Sequence, residues 1–353
     1  MISKTTFAKR IGRLAGMTTC LSFVLSPSAV AAPPVAPVPP AVMTILPAPD
    51  GAQSCEAWDI NEAWDVNDAG MIVGTCDTIP ARWVNDSSVE LLTGDLRITD
   101  PFGVILEIPI ISGIATAVNV SGLIAGQVTT ASGTRAAVWQ GGIWLGLELP
   151  AGATGSSARD IDDQGRVIGT SRLQGTIWSG GQITSLPLLA AGNACVALAS
   201  NESSNVVGQC NYELNGGLVP VVWKKGTAHE LVNPRIANSP NYARTINETG
   251  QIGGTAAATA YVWNVKTPGK ATSVATPGVV NSINDKKVMV GFLGIDGSLD
   301  SPPQAAWWRS ATQGPVLLFP GTQPSAARAI NNNSVVVGRV QLEDGTTRAF
   351  VAR

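Results

Sequence analysis

The stretch DIDDQGRVIG, residues 160–169, decides the fold because six related stretches occur elsewhere along the chain. In each copy an Asn, once an Asp, stands seven residues before a Gly. The copies recur at intervals of 37 to 52 residues, and such self-similarity is the signature of a repeat architecture. The other six are DVNDAGMIVG (65–74), AVNVSGLIAG (117–126), ASNESSNVVG (199–208), TINETGQIGG (245–254), SINDKKVMVG (282–291) and AINNNSVVVG (329–338).

Each repeat predicts four short strands. The first strand ends at the Asn, whose side chain can bond its own backbone in a tight turn. The second strand runs to the Gly, the third carries an aromatic residue, and the fourth ends at a Pro, as in GGQITSLP (180–187). Seven such repeats predict an all-β, seven-bladed β-propeller of four-stranded blades, with an open stack of β-sheets as the alternative. We expect the aromatic residues to pack between blades; they are Trp83, Trp139, Trp178, Trp223, Trp263, Trp307 and Phe350.

The seventh repeat lacks a fourth strand, because only three residues follow Phe350. The segment VMTILP (42–47) resembles the fourth strands of the other repeats and has no first three strands of its own. We therefore predict that residues 42–48 complete the C-terminal blade. This pairing closes the ring and removes both free sheet edges.

Four cysteines follow the leader, and they share a register. Cys76 and Cys210 each lie two residues after the repeat Gly, whereas Cys55 and Cys195 each lie six residues before an Asn. Three pairings are open to four cysteines. The shared register favours Cys55–Cys76 and Cys195–Cys210, each within one blade, and two disulfides suit an oxidising compartment.

The N-terminal residues predict a targeting signal. A basic start, an apolar run and the small-residue pattern Ala29-Val30-Ala31 predict a secretory signal peptide over residues 1–31. A membrane anchor is the alternative, which the shortness of the run and Pro27 disfavour. The Pro-rich residues 32–41 predict an extended spacer, which leaves 42–353 as a single propeller domain. The expected location is the periplasm or the extracellular space.

Charge and composition limit the partners. The formal net charge is −2, and loss of the basic leader makes the remaining chain more acidic, which argues against nucleic acid or an anionic membrane as a partner. No second apolar run is long enough to span a bilayer. With one His and no CxxC pair, the sequence predicts no metal site and no cofactor. We expect a monomer.

The repeated pattern Ile-Asn-x-x-Gly-x-Ile-Val-Gly, followed by Ala-x-x-Trp, resembles the HAF repeats of predicted extracellular bacterial proteins. The resemblance covers about residues 55–350. The His-Ala-Phe triplet that names the repeat is absent, and the corresponding places have PARW, AAVW, AYVW, AAWW and RAFV. The resemblance implies a secreted protein with a propeller-like fold, and it implies no established activity.

The sequence contains no GxSxG elbow, no HExxH motif and no phosphate-binding Gly loop. Variable links occur between strands two and three and between blades, and in a propeller both emerge on one face. Variable loops on a rigid frame often bind ligands. The candidate binding residues on this variable-loop face are Asp296, Asp300, Trp308, Tyr212, Arg97 and Phe102.

A second candidate site is a ring of arginines. Arg159, Arg244 and Arg328 each lie three residues before the repeat Asn or Asp, so a propeller would bring them close to its central channel, where they could attract an anion. Pairing with neighbouring carboxylates is the alternative.

Three functions remain open. The first is a binding or interaction module for a polysaccharide, a peptide or a cell-envelope partner. The second is a polysaccharide hydrolase or lyase that uses clustered carboxylates, and the third is a purely structural surface protein. Missing catalytic motifs favour the first and third. An exposed aromatic ring, Trp308 above all, would favour sugar binding, and an acidic cluster with displaced pKa values would favour the enzyme.

Overall fold

A computed structural model describes residues 39–353 apart from 41, 51, 53–54, 56–64, 85, 101, 191, 212–216, 232–240, 276, 295–301, 320 and 322. The predicted signal peptide and nearly all of the predicted spacer lie outside the described residues. The described part contains thirty strands and no helix. The strands form seven separate sheets, as expected of the predicted seven-bladed propeller.

Each blade has four strands, and strand one lies innermost. Blade 1 comprises β2 (Asp65–Val66), β3 (Ile72–Cys76), β4 (Ile79–Val84) and β5 (Ser88–Leu91); blade 2, β8 (Ser112–Val118), β9 (Ile124–Thr130), β10 (Gly133–Gln140) and β11 (Ile143–Gly146); blade 3, β12 (Ser156–Ile161), β13 (Val167–Ser171), β14 (Gln174–Ser179) and β15 (Gln182–Ser185); blade 4, β16 (Cys195–Ser200), β17 (Val206–Asn211), β18 (Leu218–Lys224) and β19 (Thr227–Glu230).

The remaining blades repeat the order. Blade 5 comprises β20 (Tyr242–Ile246), β21 (Gln251–Ala256), β22 (Thr259–Asn264) and β23 (Ala271–Ala275); blade 6, β24 (Gly278–Ile283), β25 (Met289–Leu293), β26 (Gln304–Trp308) and β27 (Val316–Leu317); blade 7, β28 (Ser325–Ile330), β29 (Val336–Gln341), β30 (Thr347–Ala352) and the N-terminal β1 (Met43–Ile45). A hairpin of β6 (Asp95–Thr99) and β7 (Ile105–Pro109) extends blade 2, because β6 pairs in parallel with β11.

Strand β1 closes the ring. It pairs antiparallel with β30, with Met43 opposite Ala352 and Ile45 opposite Phe350. Leu46 follows this strand and is 2% exposed in the hydrophobic cluster between blades 7 and 1. The prediction that residues 42–48 complete the C-terminal blade is therefore confirmed.

The repeat Gly makes room for a β-bulge in strand one. In blade 3 the register shifts between Ala158 and Asp160, so Arg159 is the extra residue. A Cβ on the opposing Gly169 would lie 2.0 Å from the carbonyl oxygen of Ser157. No side chain fits there, which explains why the second strand of each repeat carries Gly at this position. The same bulge occurs in blades 2, 4, 5, 6 and 7.

The repeat Asn joins each blade to the next. In blade 5, for example, the Oδ1 atom of Asn247 accepts a hydrogen bond from the backbone N–H of Gln251, which fixes the turn. Its Nδ2 atom donates to the carbonyl oxygen of Asn284 in blade 6 at 2.9 Å. Asn combines an acceptor and a donor on one short side chain, so it can make both bonds. These donations follow the ring and return from Asn331 to Asn67.

Blade 3 has Asp162 in place of Asn, and a carboxylate has no N–H to donate. Arg166 supplies the missing donor. Its Nε atom lies 2.5 Å from Oδ2 of Asp162, and its Nη2 atom donates to the carbonyl oxygen of Asn201 at 3.3 Å. The ring of inter-blade hydrogen bonds is thereby complete in all seven blades.

Aromatic packing and disulfides follow the predictions. Trp83 donates from Nε1 to the carbonyl oxygen of Pro47, at the end of the preceding blade, and Trp178 and Trp223 make the equivalent bonds. The disulfides are Cys55–Cys76 and Cys195–Cys210, as the register of the repeats predicted. Each lies within one repeat.

Candidate functional site

The innermost strands line a central channel with two mouths. The Asn turns surround one mouth, where a cavity of about 280 Å³ lies. The other mouth lies toward the variable-loop face, since along the innermost strands its lining residues precede those at the Asn turns. Its cavity measures about 360 Å³. This size lies within the usual range of ligand pockets, roughly 300–1,000 Å³.

The β-bulges determine which side chains line this second mouth. A bulge re-aims the side chain of its extra residue, and here it turns each one into the channel. The extra residues lining the cavity are Thr116, Arg159, Leu198, Arg244, Asn281 and Arg328, from blades 2 to 7 in order. The structure therefore brings together all three arginines of the predicted ring. We call this opening the arginine mouth.

The arginines lie in a partly desolvated, mutually repulsive setting. Burial, and then the neighbouring Arg244, lowers the pKa of Arg159. Burial, and then Arg339, lowers the pKa of Arg328 to about 9. Burial is the main cause of both shifts, and a neighbouring arginine adds to each. Two of the guanidinium groups lie over aromatic rings, an arrangement that attracts the cation to the ring. The Cζ atom of Arg244 is 5.7 Å from the centroid of the Tyr242 ring, and that of Arg328 is 5.9 Å from the centroid of the Phe292 ring.

The buried polar atoms without a hydrogen-bond partner among the described residues include a donor and an acceptor at the arginine mouth. One is Nε of Arg159, a donor, and the other is Oδ1 of Asn281, an acceptor. Asn281 is 4% exposed. Its Nδ2 atom donates to the carbonyl oxygen of Ala327 at 2.7 Å, which identifies the free atom as the oxygen. Buried polar atoms without partners are uncommon in native proteins and require an explanation.

Two carboxylates, Asp65 and Asp160, line the cavity of the arginine mouth and also the cavity at the opposite mouth. Burial is the main cause that raises the pKa of Asp65 to about 7 and that of Asp160 to about 6. Both carboxylates connect neighbouring blades. Asp65 accepts from the backbone N–H of Val118, and Asp160 accepts from the N–H and the hydroxyl of Ser200. No ion pair within the described residues joins either carboxylate to Arg159.

The opposite mouth is acidic. The residue after the repeat Asn or Asp is Asp or Glu in five blades, and all five side chains line this mouth: Asp68, Asp163, Glu202, Glu248 and Asp285. Most of them accept a backbone N–H from the preceding blade, as Glu202 does from Asp163. Burial, opposed by a hydrogen bond and reinforced by acidic neighbours, raises the pKa of Glu248. The channel therefore has a basic end and an acidic end, and an anion is attracted to the basic one.

The other predicted binding residues do not gather at one place. Trp308 is 0% exposed in β26, where its side chain packs between blades 5 and 6, so it presents no exposed ring to a sugar. Arg97 pairs with Glu107 on the β6–β7 hairpin, and Phe102 is 89% exposed at its tip. This hairpin forms the outer edge of blade 2, several strands from the channel. Asp296, Asp300 and Tyr212 lie outside the described residues.

Sequence reasoning missed Asn281 and the two channel carboxylates. Asn281 stands three residues before its repeat Asn, in the register that revealed the arginines, so alignment of the repeats could have found it. Asp65 and Asp160 share the next position, where the sister repeats have Ala, Thr or Ser. A charged residue at a position that is otherwise small and uncharged could have identified both carboxylates from the sequence.

Within the described ranges, no three His, Cys, Asp or Glu side chains are grouped so that they could hold a metal ion. The described residues also include no helix of the length and apolarity that crossing a bilayer requires.

No protein-family model matches the sequence, and no curated protein matches it significantly. Among solved structures, the chain is similar to the extracellular domain of a putative one component system from B. thetaiotaomicron, with a TM-score of 0.50 and 11% identity. That match covers 88% of this chain, which spans 40% of the other. A gluconolactonase from Xanthomonas campestris gives a TM-score of 0.42 and 11% identity, covering 91% of this chain and 98% of that one. The likeness concerns the fold alone.

Proposed function

We propose that this protein is a secreted binding module, and that it holds an anionic group of its ligand at the arginine mouth. The observation that carries the proposal is the convergence of Arg159, Arg244 and Arg328 in one cavity on the variable-loop face. A guanidinium group presents several N–H donors in a plane and suits a carboxylate, sulfate or phosphate. Secretion is supported by the two disulfides and by the predicted leader.

The hydrogen bonds of the carboxylates at the arginine mouth favour binding rather than catalysis. The cavity is lined by three arginines, by neutral polar side chains and by the carboxylates of Asp65 and Asp160, and these two carboxylates already have hydrogen-bond partners. In both Asp65 and Asp160, each carboxylate oxygen accepts at least one backbone N–H. A group with this role connects blades, as the Asn ring does.

The test is a binding titration of the purified chain, from Ala32 onward, against acidic and neutral polysaccharides of similar size. We expect saturable binding of the acidic polymers alone, weakened at least tenfold in Arg159→Gln and progressively by added salt. Arg97→Gln is the matched control, because it removes one arginine charge from the outer hairpin of blade 2, away from the channel. Equal affinity for neutral polymers, or no effect of Arg159→Gln, would contradict the proposal.

A polysaccharide hydrolase or lyase is the second candidate function, and the raised pKa of Asp65 is the observation that favours it. A carboxylic acid with a pKa of about 7 can donate a proton near neutral pH. The same titrations, followed for released fragments, separate the two functions. Fragments that disappear in Asp65→Asn would establish the enzyme, and binding without fragments would establish the module.

A further inference from the structure

We infer that the arginine mouth recognises a sugar acid, a unit that carries a carboxylate together with neutral hydroxyl groups. This inference rests on the proposed function, because it names the chemical class of the anion. It is carried by the two unpartnered atoms of opposite hydrogen-bonding character in one cavity, Nε of Arg159 and Oδ1 of Asn281.

Arg159 requires an acceptor, and a carboxylate supplies one with the negative charge that the cavity favours. Asn281 requires a donor, and this requirement discriminates among anions. A fully ionised sulfate or a simple carboxylate has no proton to give, so its oxygen atoms would face the lone pairs of Oδ1. An ammonium group could donate, but the neighbouring arginines would repel it. A neutral hydroxyl group donates without adding positive charge.

The rest of the lining favours a polyhydroxylated ligand over a peptide. Neutral hydroxyl and amide side chains surround the cavity, and they can both donate to and accept from sugar hydroxyls; they are Thr116, Gln209, Thr245 and Ser282. The aliphatic lining is restricted to three alanines and Leu198, which leaves no deep apolar pocket for a peptide side chain. The ring of Tyr242 also lines the cavity and offers an apolar surface to a sugar ring.

The register of the repeats places these groups within one site. Arg159 belongs to blade 3 and Asn281 to blade 6, so a single ligand would be held from two sides of the channel. Asn281 is fixed by its bond to Ala327 in blade 7, and Arg244 is supported by Tyr242. A ligand would therefore meet groups that are already oriented, which lowers the entropic cost of binding.

The experiment compares three probes on the wild-type chain by calorimetric titration at constant pH and ionic strength. They are D-glucuronate, acetate, which lacks hydroxyl groups, and D-glucose, which lacks the carboxylate. We expect D-glucuronate to bind at least tenfold more tightly than either of the others. These comparisons need no variant, so they hold whether or not a substitution disturbs folding.

Two variants assign the discrimination to its residues. Asn281→Ala should reduce affinity for D-glucuronate about tenfold and leave that for acetate within twofold, because only the sugar acid donates to Oδ1. Arg159→Gln should weaken both acids, and Arg97→Gln, which removes a charge from the outer hairpin of blade 2 away from the channel, should change neither.

The outcomes separate this inference from the function on which it rests. If acetate binds as tightly as D-glucuronate and both depend on Arg159, the cavity is a general anion site and the sugar-acid inference is wrong. If neither acid binds, or if D-glucose binds equally well, both the inference and the proposed anion-binding function are wrong.

Discussion

The substitution of Asp162 for the repeat Asn, compensated by Arg166, gives the sharpest test of how the ring is held together. Both side chains are mainly buried, with exposed fractions of 4% for Asp162 and 16% for Arg166. Arg166→Ala removes the partner of a buried carboxylate and also the donor to the carbonyl oxygen of Asn201. Breaking such a pair from one side typically costs about 3–5 kcal/mol, so we expect the free energy of unfolding to fall by about 3 kcal/mol.

A second substitution should reverse the effect. In the Asp162→Asn, Arg166→Ala double variant, the introduced amide carries no charge and can donate directly to the carbonyl oxygen of Asn201, as Asn201 itself donates to Asn247. We expect the double variant to lie within about 1 kcal/mol of the wild type, so the second substitution should recover about 2 kcal/mol of the stability lost in Arg166→Ala. The measurement is equilibrium unfolding in guanidinium chloride, followed by tryptophan fluorescence.

Gln251→Ala is the matched control, since Gln251 holds the position of Arg166 in blade 5, where Asn247 already makes the inter-blade bond. Its side chain is not needed for that bond, and we expect a change below about 1 kcal/mol. A double variant as unstable as Arg166→Ala alone would refute the account of Arg166 as a substitute donor. So would an Arg166→Ala variant with wild-type stability.

Three further predictions concern closure, pH and the bulge. Leu46→Ala should lower the free energy of unfolding by about 3 kcal/mol, and Ile45→Ala, at the adjacent but 40% exposed residue, by less than about 1 kcal/mol; equal losses would contradict closure through Leu46. Because the pKa of Asp65 rises from 3.8 unfolded to about 7 folded, stability present below pH 4 should be lost as the pH rises through 7. Unfolding curves at several pH values should show that the free energy of unfolding of Asp65→Asn rises, relative to that of the wild type, by on the order of 4 kcal/mol across that range. A difference between the two proteins that does not change with pH would refute the pKa shift. Gly169→Ala and Gly208→Ala should both destabilise the fold, because each added Cβ would lie 2.0 Å from a carbonyl oxygen. In a titration with D-glucuronate only Gly169→Ala should lose affinity, because Gly169 lies opposite the bulge that carries Arg159.

Much of the fold could be predicted from the sequence because its constraints are local and repeated. A tight turn requires Asn, a bulge requires Gly opposite it, and seven copies define the period. The disulfide pairing and the N-terminal strand of blade 7 follow from the same register. The burial of Trp308 could not be read from its position beside Trp307, since alternation along β26 would have placed one of the two rings outside. Both are covered because each face of this blade packs on a neighbouring blade.

The candidate site was only partly predictable, for a different physical reason. A channel site is assembled from one residue per blade, and those residues lie 37 or more positions apart in the sequence. The arginines were recognisable because charge is unusual at a repeated position, whereas Asn281 resembles an ordinary turn residue until the bulge is known.

The bulge connects the fold with the proposed function. Glycine in strand two is required so that strand one can approach it, and this approach forces one residue of strand one out of the ladder and into the channel. The extra residue of the bulge has no partner in the β-ladder, so its identity can vary from blade to blade without disturbing the sheet. The described blades accordingly place Thr, Arg, Leu, Arg, Asn and Arg at this position, while the Gly opposite is the same in all of them. We therefore expect substitutions of the bulge residues to change the charge of the channel lining, and with it the proposed ligand specificity, without disturbing the sheets.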